Sequence, residues 1–458
     1  MDKQTLSNYG WIVIAVLVLA VMIAMATPFG EYVKNAVSSA VDGLIDTNTA
    51  VVNTALGSVG VDTSIGELEK KYDFKYFDTL LDAINDVNGV TDKTGKPIGA
   101  FNDENGTKNI VLYNSIDVTS KAIIATDTII KLSGKTINCT DSVAFEITNG
   151  TVTIDAQNGG NIISTGGIAN VNGGSLNING GKYTSNTSGE GTKTNTSKNF
   201  YVASGATLAV NKATITANDN NNGTVTGIYG ATNSNIVATD TTIESNSHNS
   251  LETSGIYSLG NVTLTNCSIV AKSDYTANAA GTAYASNSRG IYCEGTLELN
   301  NCYVWGAHSG ITAKGNLTVN GGTYEGYGHG GFYCSNAGKT ASFKNAVINW
   351  ANMKDGYVAD SVAGTNGAGM YVGGASNINL YFDNCDIYGT LYGVVLRGSG
   401  GEENHMVYIS NSTIEASKYT FRMSNYSSRV YIGAGNGFDT TSASIPANCI
   451  ITDEIYAN

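Results

Sequence analysis

Proline and charged side chains are both scarce in this chain. Only 3 of its 458 residues are proline and 14% are charged, while 55 are glycine, and Asn, Thr and Ser supply most polar positions. Helices favour Ala, Leu, Glu and Lys, so this composition argues against a mainly helical protein. Strands and turns favour the residues that are present. We therefore expect many short strands joined by many turns.

Basic residues are also few. The chain has 25 Lys and Arg against 38 Asp and Glu, a formal net charge of -13, and its arginines are Arg289, Arg397, Arg422 and Arg429. Nucleic-acid binding relies on a basic surface, so we expect no nucleic-acid partner. A sugar, a divalent cation or another protein remains open as a ligand.

Paired cysteine motifs are absent. The 7 cysteines, from Cys139 to Cys449, are widely spread and form no CxxC pair. This spacing is untypical of a disulfide framework or a zinc site. We expect most of the cysteines to be buried free thiols that act as small hydrophobic side chains, and we expect no cofactor.

The N-terminus carries one long apolar run, Trp11–Ala26. As a helix it would reach about 24 Å, and with flanking residues it could just span a membrane. Ala24-Met25-Ala26 also fits the small-x-small pattern of a signal-peptide cleavage site. An apolar stripe at helical spacing follows between Val33 and Ile45. Anchor, cleaved signal and assembly helix all remain open, and each places the rest of the chain outside the cytoplasm, at the cell surface.

A very hydrophobic helix, a proline and then an amphipathic continuation resemble the stem helix of type IV pilin-like subunits. The resemblance covers about residues 8–58, and the acidic residue near the mature end of processed pilins has no counterpart here. It implies that Trp11–Ala26 contacts either a membrane or identical subunits. We divide the chain into this helix (1–58), a linker (59–75), a capping helix and loop (76–106), and a β-domain (107–458).

The β-domain is built from unequal repeats. Nine segments share the pattern apolar-x-apolar-x-x-small-x-apolar; they begin at Leu176, Leu208, Ile236, Val262, Leu297, Leu317, Ala341, Leu380 and Val407. The sixth position is always small, which predicts an inward corner. A second element, glycine followed by an apolar residue and often Tyr, precedes most segments, as in GIYG at Gly227 and GIYC at Gly290. Two short strands per repeat predict a parallel β-helix of about 12 to 14 rungs.

The uneven repeats over about 107–451 resemble pectin-lyase-like, right-handed parallel β-helix proteins of bacterial surfaces. LLDAINDVNG from Leu80 and KLSGKTI from Lys131 resemble the capping helix and first rungs of those proteins. The resemblance implies an all-β, single-stranded, right-handed solenoid with a capping helix. It implies no particular activity, because this fold hosts lyases, hydrolases, adhesins and phage fibres.

In-register stacking would turn sequence columns into ladders of neighbours. One column contains Tyr201, Tyr229, Tyr257, Tyr292, Tyr333 and Tyr371, with Thr312 as an interruption. By strand alternation these tyrosines point outward, so they could bind sugar rings or a neighbouring subunit. Alternatively, they serve only to stabilise the sheet.

A second column brings His308 beside His329, with Glu325 as a possible third metal ligand; solvated loop histidines are the simpler interpretation. For catalysis, Asp383 and Asp386 stand near Arg397, but no other acidic residue joins them, so we expect no catalytic site.

Long connections before the glycine strands leave one corner of the helix, as with Ser185–Asn199, Lys272–Arg289 and Ala351–Ala368. Variable loops on a rigid scaffold commonly form binding surfaces. We expect a glycan or protein ligand here, near Trp350, Asp355 and Tyr357. The sequence thus favours a non-catalytic structural or adhesive surface protein, a possible pilus-like filament subunit, over a surface-tethered carbohydrate-active lyase or glycoside hydrolase.

Overall fold

The structure is a computed structural model. It describes residues 63–140, 143–187, 197–219, 223–247, 252–273, 288–326, 329–335, 338–350, 367–373, 377–389, 391–397, 404–423, 428–437 and 450–452. The chain divides into two compact units, Met1–Lys71 and Tyr72–Asn458. The apolar run Trp11–Ala26 and the rest of the predicted N-terminal helix lie outside the described residues. Within the described part, no helix is long and apolar enough to cross a membrane.

Helices are few. In the first unit, α1 (Thr63–Lys71) occupies part of the predicted linker, where the spacing of Glu67 and Lys70 lets them form an ion pair one helical turn apart. In the second unit, α2 (Leu80–Asn85) lies within the predicted capping region, 76–106. It begins where the Thr79 hydroxyl accepts a hydrogen bond from the Asp82 amide, which satisfies a free N–H of the first turn.

Strands are the main regular elements in the described part of the second unit. In chain order they are β1 (Lys75–Phe77), β2 (Ile98–Asn102), β3 (Lys108–Leu112), β4 (Ile116–Val118), β5 (Ala122–Ile124), β6 (Thr128–Lys131), β7 (Thr136–Cys139), β8 (Val143–Ile147), β9 (Thr151–Ser164), β10 (Gly167–Val171), β11 (Ser175–Thr187), β12 (Ser197–Val202), β13 (Thr207–Asn211), β14 (Thr214–Asp219), β15 (Val225–Gly230), β16 (Asn235–Thr239), β17 (Thr242–Ser247), β18 (Thr253–Ser258), β19 (Asn261–Thr265), β20 (Ser268–Ser273), β21 (Arg289–Cys293), β22 (Leu297–Gly306), β23 (Ser309–Ala313), β24 (Leu317–Gly326), β25 (Phe332–Cys334), β26 (Thr340–Lys344), β27 (Val347–Trp350), β28 (Ala368–Gly373), β29 (Asn379–Asp383), β30 (Asp386–Gly389), β31 (Tyr392–Arg397), β32 (Met406–Ser410), β33 (Thr413–Ala416), β34 (Tyr419–Met423), β35 (Arg429–Ile432) and β36 (Ile450–Thr452).

From β3 onward the strands pair in parallel with the same position of the next rung, which confirms a parallel β-helix. Each rung contributes to three ladders. Ladder A contains β13, β16, β19 and their equivalents; ladder B contains β14, β17, β20 and theirs. Both belong to one 24-stranded sheet, because β9, β11, β22 and β24 run from ladder A into ladder B without a break. Ladder C is a separate 12-stranded sheet, from β5 to β34, which agrees with the predicted rung number.

Three strands per rung correct the expectation of two. The repeated segment does not form one straight strand, because its fifth residue takes a left-handed backbone conformation and turns the chain from ladder A to ladder B. The nine residues at this position have φ between 49° and 74°: Gly180, Lys212, Asp240, Asn266, Asn301, Gly321, Asn345, Asn384 and Asn411. Gly, Asn and Asp tolerate this conformation best, and they fill eight of the nine positions.

The small sixth residue faces the interior, as predicted. Cys267, Cys302 and Cys385 are buried free thiols, and each Sγ donates to the backbone carbonyl two residues earlier, at 3.3 to 3.4 Å. Ser412 bonds in the same way at 2.7 Å. A small side chain with one satisfied donor therefore fits the corner, whereas a larger one would displace the tightly packed rung above or below. The expectation of buried thiols is confirmed for the six cysteines that the structure describes.

The inward residues of the three ladders form one continuous apolar core. The glycine that opens the ladder C strands lies against this core where ladders B and C approach each other. A Cβ at Gly255 would lie 2.2 Å from Ile269 Cγ2, and one at Gly290 would lie 2.4 Å from Val304 Cγ1. Only glycine fits at that distance, which explains the repeated glycine.

The N-terminal end of the core is closed differently from the expected helix and loop. The predicted cap, 76–106, also contains β2, which pairs antiparallel with both β1 and β3. Leu80 and Ala83 of α2 are buried in the same core as the first rungs. An antiparallel hairpin and a short helix thus cover the first rung, whose edge would otherwise be free to recruit another strand.

Enlarging a corner residue should destabilise the fold. Ala213 is a buried corner residue, whereas Ala209 points outward from the same rung. We expect Ala213→Leu to lower the free energy of unfolding by about 1–3 kcal/mol through overpacking. Ala209→Leu should change it by less than about 0.5 kcal/mol. Urea unfolding followed by circular dichroism measures both; equal effects would contradict an inward corner.

Candidate functional site

The predicted tyrosine column lies on the outer side of ladder C. Because Ile228, Ile256 and Ile291 are buried, the tyrosine that follows each one points to the opposite side of the sheet. The register aligns the column in successive rungs as Tyr201, Tyr229, Tyr257, Tyr292, Thr312, Tyr333 and Tyr371. The structure therefore brings the predicted tyrosines together in two stacks, separated by Thr312.

Within each stack the rings lie almost parallel. Tyr229 and Tyr257 have ring centres 5.3 Å apart and planes inclined by 5°, and Tyr257 and Tyr292 are 4.4 Å apart at 14°. Tyr333 and Tyr371 are 5.7 Å apart at 19°. Each inner ring face thus contacts the next tyrosine, so the column presents mainly ring edges and hydroxyls outward. Sugar binding by stacking needs a free ring face, which the interior of these stacks does not offer.

Charged side chains cover parts of the first stack. The Lys198 ammonium lies 4.2 Å from the Tyr229 ring centre, and the Arg289 guanidinium lies 5.0 Å from that of Tyr292. The Tyr292 hydroxyl donates to the Glu294 carboxylate. Tyr292 is consequently only 4% exposed, less than the predicted outward position suggests. Cation–π contacts and ring stacking stabilise this column from within.

Burial also fixes the protonation of the column. It raises the pKa of Tyr229, Tyr257 and Tyr333, so these phenols stay neutral at physiological pH. The hydrogen bond from Tyr292 lowers the pKa of Glu294, which stays ionised. The tyrosines are thus neutral and Glu294 is ionised, as these groups are in water at neutral pH. A general acid or base needs a pKa near the working pH, and these shifts move the pKa values away from it.

The gap at Thr312 is bordered by the two histidines. His329 Nδ1 lies 2.6 Å from His308 Nε2, and the His329 ring is 4.8 Å from Tyr333 and 4.6 Å from Tyr371. One ring must donate and the other accept, so at least one histidine is neutral. Burial, followed by nearby Arg289, lowers the pKa of His329 to about 4, and burial also lowers the pKa of His308. His308 is buried, His329 is half-buried, and both are neutral at physiological pH, whereas the simpler interpretation had two solvated loop histidines.

The pair does not gain Glu325, the possible third ligand. Glu325 lies on ladder B, where its two carboxylate oxygens accept hydrogen bonds from the Tyr303 hydroxyl at 2.9 Å and the Asn349 amide at 3.2 Å. Across the described residues, no group of three or more His, Cys, Asp or Glu side chains is placed to hold a metal ion. His308 Nε2 and His329 Nδ1 contact each other, so neither nitrogen is free to bind a metal.

The acidic residues considered for catalysis are spread over the rung. Asp383 ends β29 on ladder A, Asp386 begins β30 on ladder B, and Arg397 ends β31 on ladder C. The Asp383 carboxylate accepts from the Asn411 amide at 2.9 Å and lies 3.8 Å from the Lys344 ammonium. These contacts are those of an exposed corner network, and the three residues considered for catalysis lie on three different ladders.

The long connections do leave one corner, as predicted. Ser185–Asn199, Lys272–Arg289 and Ala351–Ala368 each join a ladder B strand to a ladder C strand. Trp350 ends β27 in register with Gly326, whereas Asp355 and Tyr357 lie outside the described residues. The predicted ligand region of the loops therefore stays a prediction.

Sequence reasoning missed two outward features of the repeated segment. Tyr381, Tyr408 and Tyr431 stack on ladder A with ring centres 4.7 Å apart at each step. At the corner, the side-chain amide of Asn301 donates to Asn266, and that of Asn266 donates to Asp240. Both occupy x positions of the segment pattern. Aligning those positions as well would have revealed the repeated Tyr in LYFDNCDI and VYISNSTI and the recurrent Asn.

Comparison with known proteins reveals little similarity to this chain. No protein-family model matches the chain, and no curated protein matches it. Among solved structures, it is similar to ORF18 of Geobacillus virus E2, with a TM-score of 0.33 and 10% sequence identity. The similarity covers 73% of this chain and 55% of that one, so the chain spans about half the length of the viral protein. A similarity this low transfers no function.

Removing a stacked tyrosine should lower the free energy of unfolding more than removing an isolated one. Tyr257 contacts a ring on both sides, whereas Tyr388, an outward tyrosine of ladder B, stacks on no ring of the described chain. We expect Tyr257→Leu to lower the free energy of unfolding by about 1–3 kcal/mol more than Tyr388→Leu. Urea unfolding measures the difference; no difference would mean that the column does not stabilise the fold.

Acid should weaken the fold through the histidine pair. An unfolded histidine titrates near 6.5, and His329 in the fold titrates near 4, so between these pH values the unfolded state binds more protons. Stability is therefore complete above about pH 6.5 and falls as the pH drops toward 4. His308→Gln with His329→Asn keeps amide nitrogens near the two ring positions and removes the titration. Urea midpoints should fall less steeply with acid in this double variant; an unchanged slope would contradict a neutral pair.

Proposed function

We propose that this chain is a non-catalytic cell-surface protein of structural or adhesive type, in which the parallel β-helix is displayed or polymerised by the hydrophobic segment Trp11–Ala26. One observation carries the proposal: in several columns of the described rungs, the outward side chains contact one another along the ladders. Tyrosines stack on tyrosines, asparagines bond to asparagines, and His308 bonds to His329. Such self-contained columns suit a durable scaffold better than a reaction centre.

The pectin-lyase-like resemblance belongs to this proposal. Three parallel ladders per rung, connections of unequal length and a covered first rung agree with such a surface β-helix. We expect the same right-handed coiling. The family's lyase and hydrolase activities do not follow, because Asp383, Asp386 and Arg397 stand on three different ladders.

We propose partners for two parts of the chain, the apolar run and the corner between ladders B and C. The apolar run meets either a membrane or the same run of identical subunits, as in a pilus-like filament. The corner between ladders B and C, where the long connections leave, is the proposed place for a glycan or protein ligand. The net charge of -13 disfavours nucleic acid.

Electron microscopy and fractionation of the full chain test this function. We expect the wild type either to form filaments without detergent or to stay with membranes until detergent is added. Leu17→Asp places a charge in the apolar run and should abolish both behaviours, whereas Ser39→Asp, in the following polar positions, should not. A Leu17→Asp variant indistinguishable from wild type would overturn the role of the run. Turnover of pectin or alginate that disappears in Asp383→Ala would overturn the non-catalytic assignment.

A further inference from the structure

One outward cluster differs from the self-contained columns. Tyr303 and Trp305 of β22, Glu325 of β24 and Asn349 of β27 occupy three successive rungs of ladder B. Their side chains point away from the core, because Cys302 and Val304, which alternate with the two aromatic residues, are buried. The register places Trp305 directly beside Glu325 and Glu325 directly beside Asn349. An aromatic ring, a carboxylate and an amide thus share one patch.

Trp305 lacks the aromatic neighbours that cover the ring faces in the tyrosine columns. Its neighbours in the column are Val270 in the rung before and Glu325 in the rung after, and no ring of the described chain contacts it. The side chain is half-buried, so part of the indole reaches the surface. An indole without an aromatic partner offers the large flat apolar surface that the C–H face of a pyranose ring covers.

Glu325 is held in place but keeps binding capacity. The Tyr303 hydroxyl and the Asn349 amide each donate to one of its oxygens, which fixes the carboxylate beside Trp305. Each oxygen can accept a further hydrogen bond, and Asn349 keeps its second amide hydrogen and its carbonyl oxygen. Burial and the Glu325 hydrogen bond raise the pKa of Tyr303, so its hydroxyl stays protonated as a donor. The cluster therefore combines oriented acceptors and donors suited to vicinal hydroxyl groups.

The charge of the patch selects among sugars. Within the described chain no Lys or Arg forms an ion pair with Glu325, and the same column holds Glu244 two rungs before Trp305. A polyanionic glycan would place further negative charge near the Glu325 carboxylate, and the repulsion would weaken its binding. The acidic chain as a whole, at -13, points the same way.

We propose that Tyr303, Trp305, Glu325 and Asn349 form a binding site for a neutral saccharide, in which a pyranose ring stacks on Trp305 and its hydroxyl groups bond to Glu325 and Asn349. The site lies on ladder B, next to the corner from which the long connections leave. It deepens the proposed surface function by naming a ligand class, and it rests on that function only for its biological context.

Titration of the full chain with soluble oligosaccharides tests the site. The probes are neutral malto-, cello-, xylo- and mannooligosaccharides, with polygalacturonate and alginate oligomers as charged probes, followed by isothermal calorimetry and saturation-transfer NMR. At least one neutral probe should bind. Trp305→Ala and Glu325→Gln should each weaken that binding on the order of tenfold, since stacking and one charge-assisted hydrogen bond are of that size.

Matched variants separate binding from folding. Glu244→Gln changes a carboxylate in the same column, and Tyr381→Ala removes an exposed tyrosine of ladder A; both should bind like wild type. Glu325→Gln is nearly isosteric, so it keeps the test valid even where Trp305→Ala unfolds. Absence of binding to every neutral probe, binding only to the charged probes, or equal affinity in Glu325→Gln would overturn the site. None of these outcomes alters filament formation or membrane association, so the proposed surface function would stand or fall separately.

Discussion

Main-chain hydrogen bonding between successive rungs is the constraint on which the rest of this molecule depends. Each strand from β3 onward bonds to the same position one rung away, so residues 20 to 40 apart in sequence become neighbours at about 4.8 Å. Every side chain therefore meets its equivalent above and below. The small corner, the glycine before ladder C and the left-handed fifth residue are all consequences, because each must repeat in rung after rung for the stack to continue.

The same constraint shapes the surface. Tyrosines at one position stack with 4.4 to 5.7 Å between ring centres, and side chains at the corner bond in series, so the outward groups of these columns find partners in the next rung. His308 and His329 follow this rule by bonding to each other. Trp305 departs from it, since its column supplies Val270 and Glu325 in place of another ring. A ligand site on such a scaffold forms where the residue type changes along a column, because the side chains there do not all find an equivalent partner in the next rung.

Much of the fold could be predicted from the sequence because the repeat encodes it directly. The nine apolar segments, the small sixth residue and the outward tyrosines of ladder C reflect a burial alternation that a strand imposes on its own sequence. The third ladder was missed because the turn at Asn266 and its equivalents depends on one backbone angle, which an Asn at an unmarked position does not reveal. The surroundings of the histidine pair could not be foreseen either, since the His329 ring packs against both Tyr333 of its own rung and Tyr371 of the next. The Trp305 cluster escaped notice because Glu325 was paired with the histidines by proximity in sequence, whereas the register places it beside Trp305.

Photo-oxidative cross-linking of tyrosines in the full chain, with the linked peptides mapped by mass spectrometry, tests the in-register stack most directly. Ring contacts of 5.3 Å and 4.4 Å predict cross-links between Tyr229 and Tyr257 and between Tyr257 and Tyr292. Tyr381 should link to Tyr408 on the separate ladder A stack, at 4.7 Å. Prominent links between the two columns, such as Tyr257 to Tyr381, with the in-register pairs missing, would contradict this account.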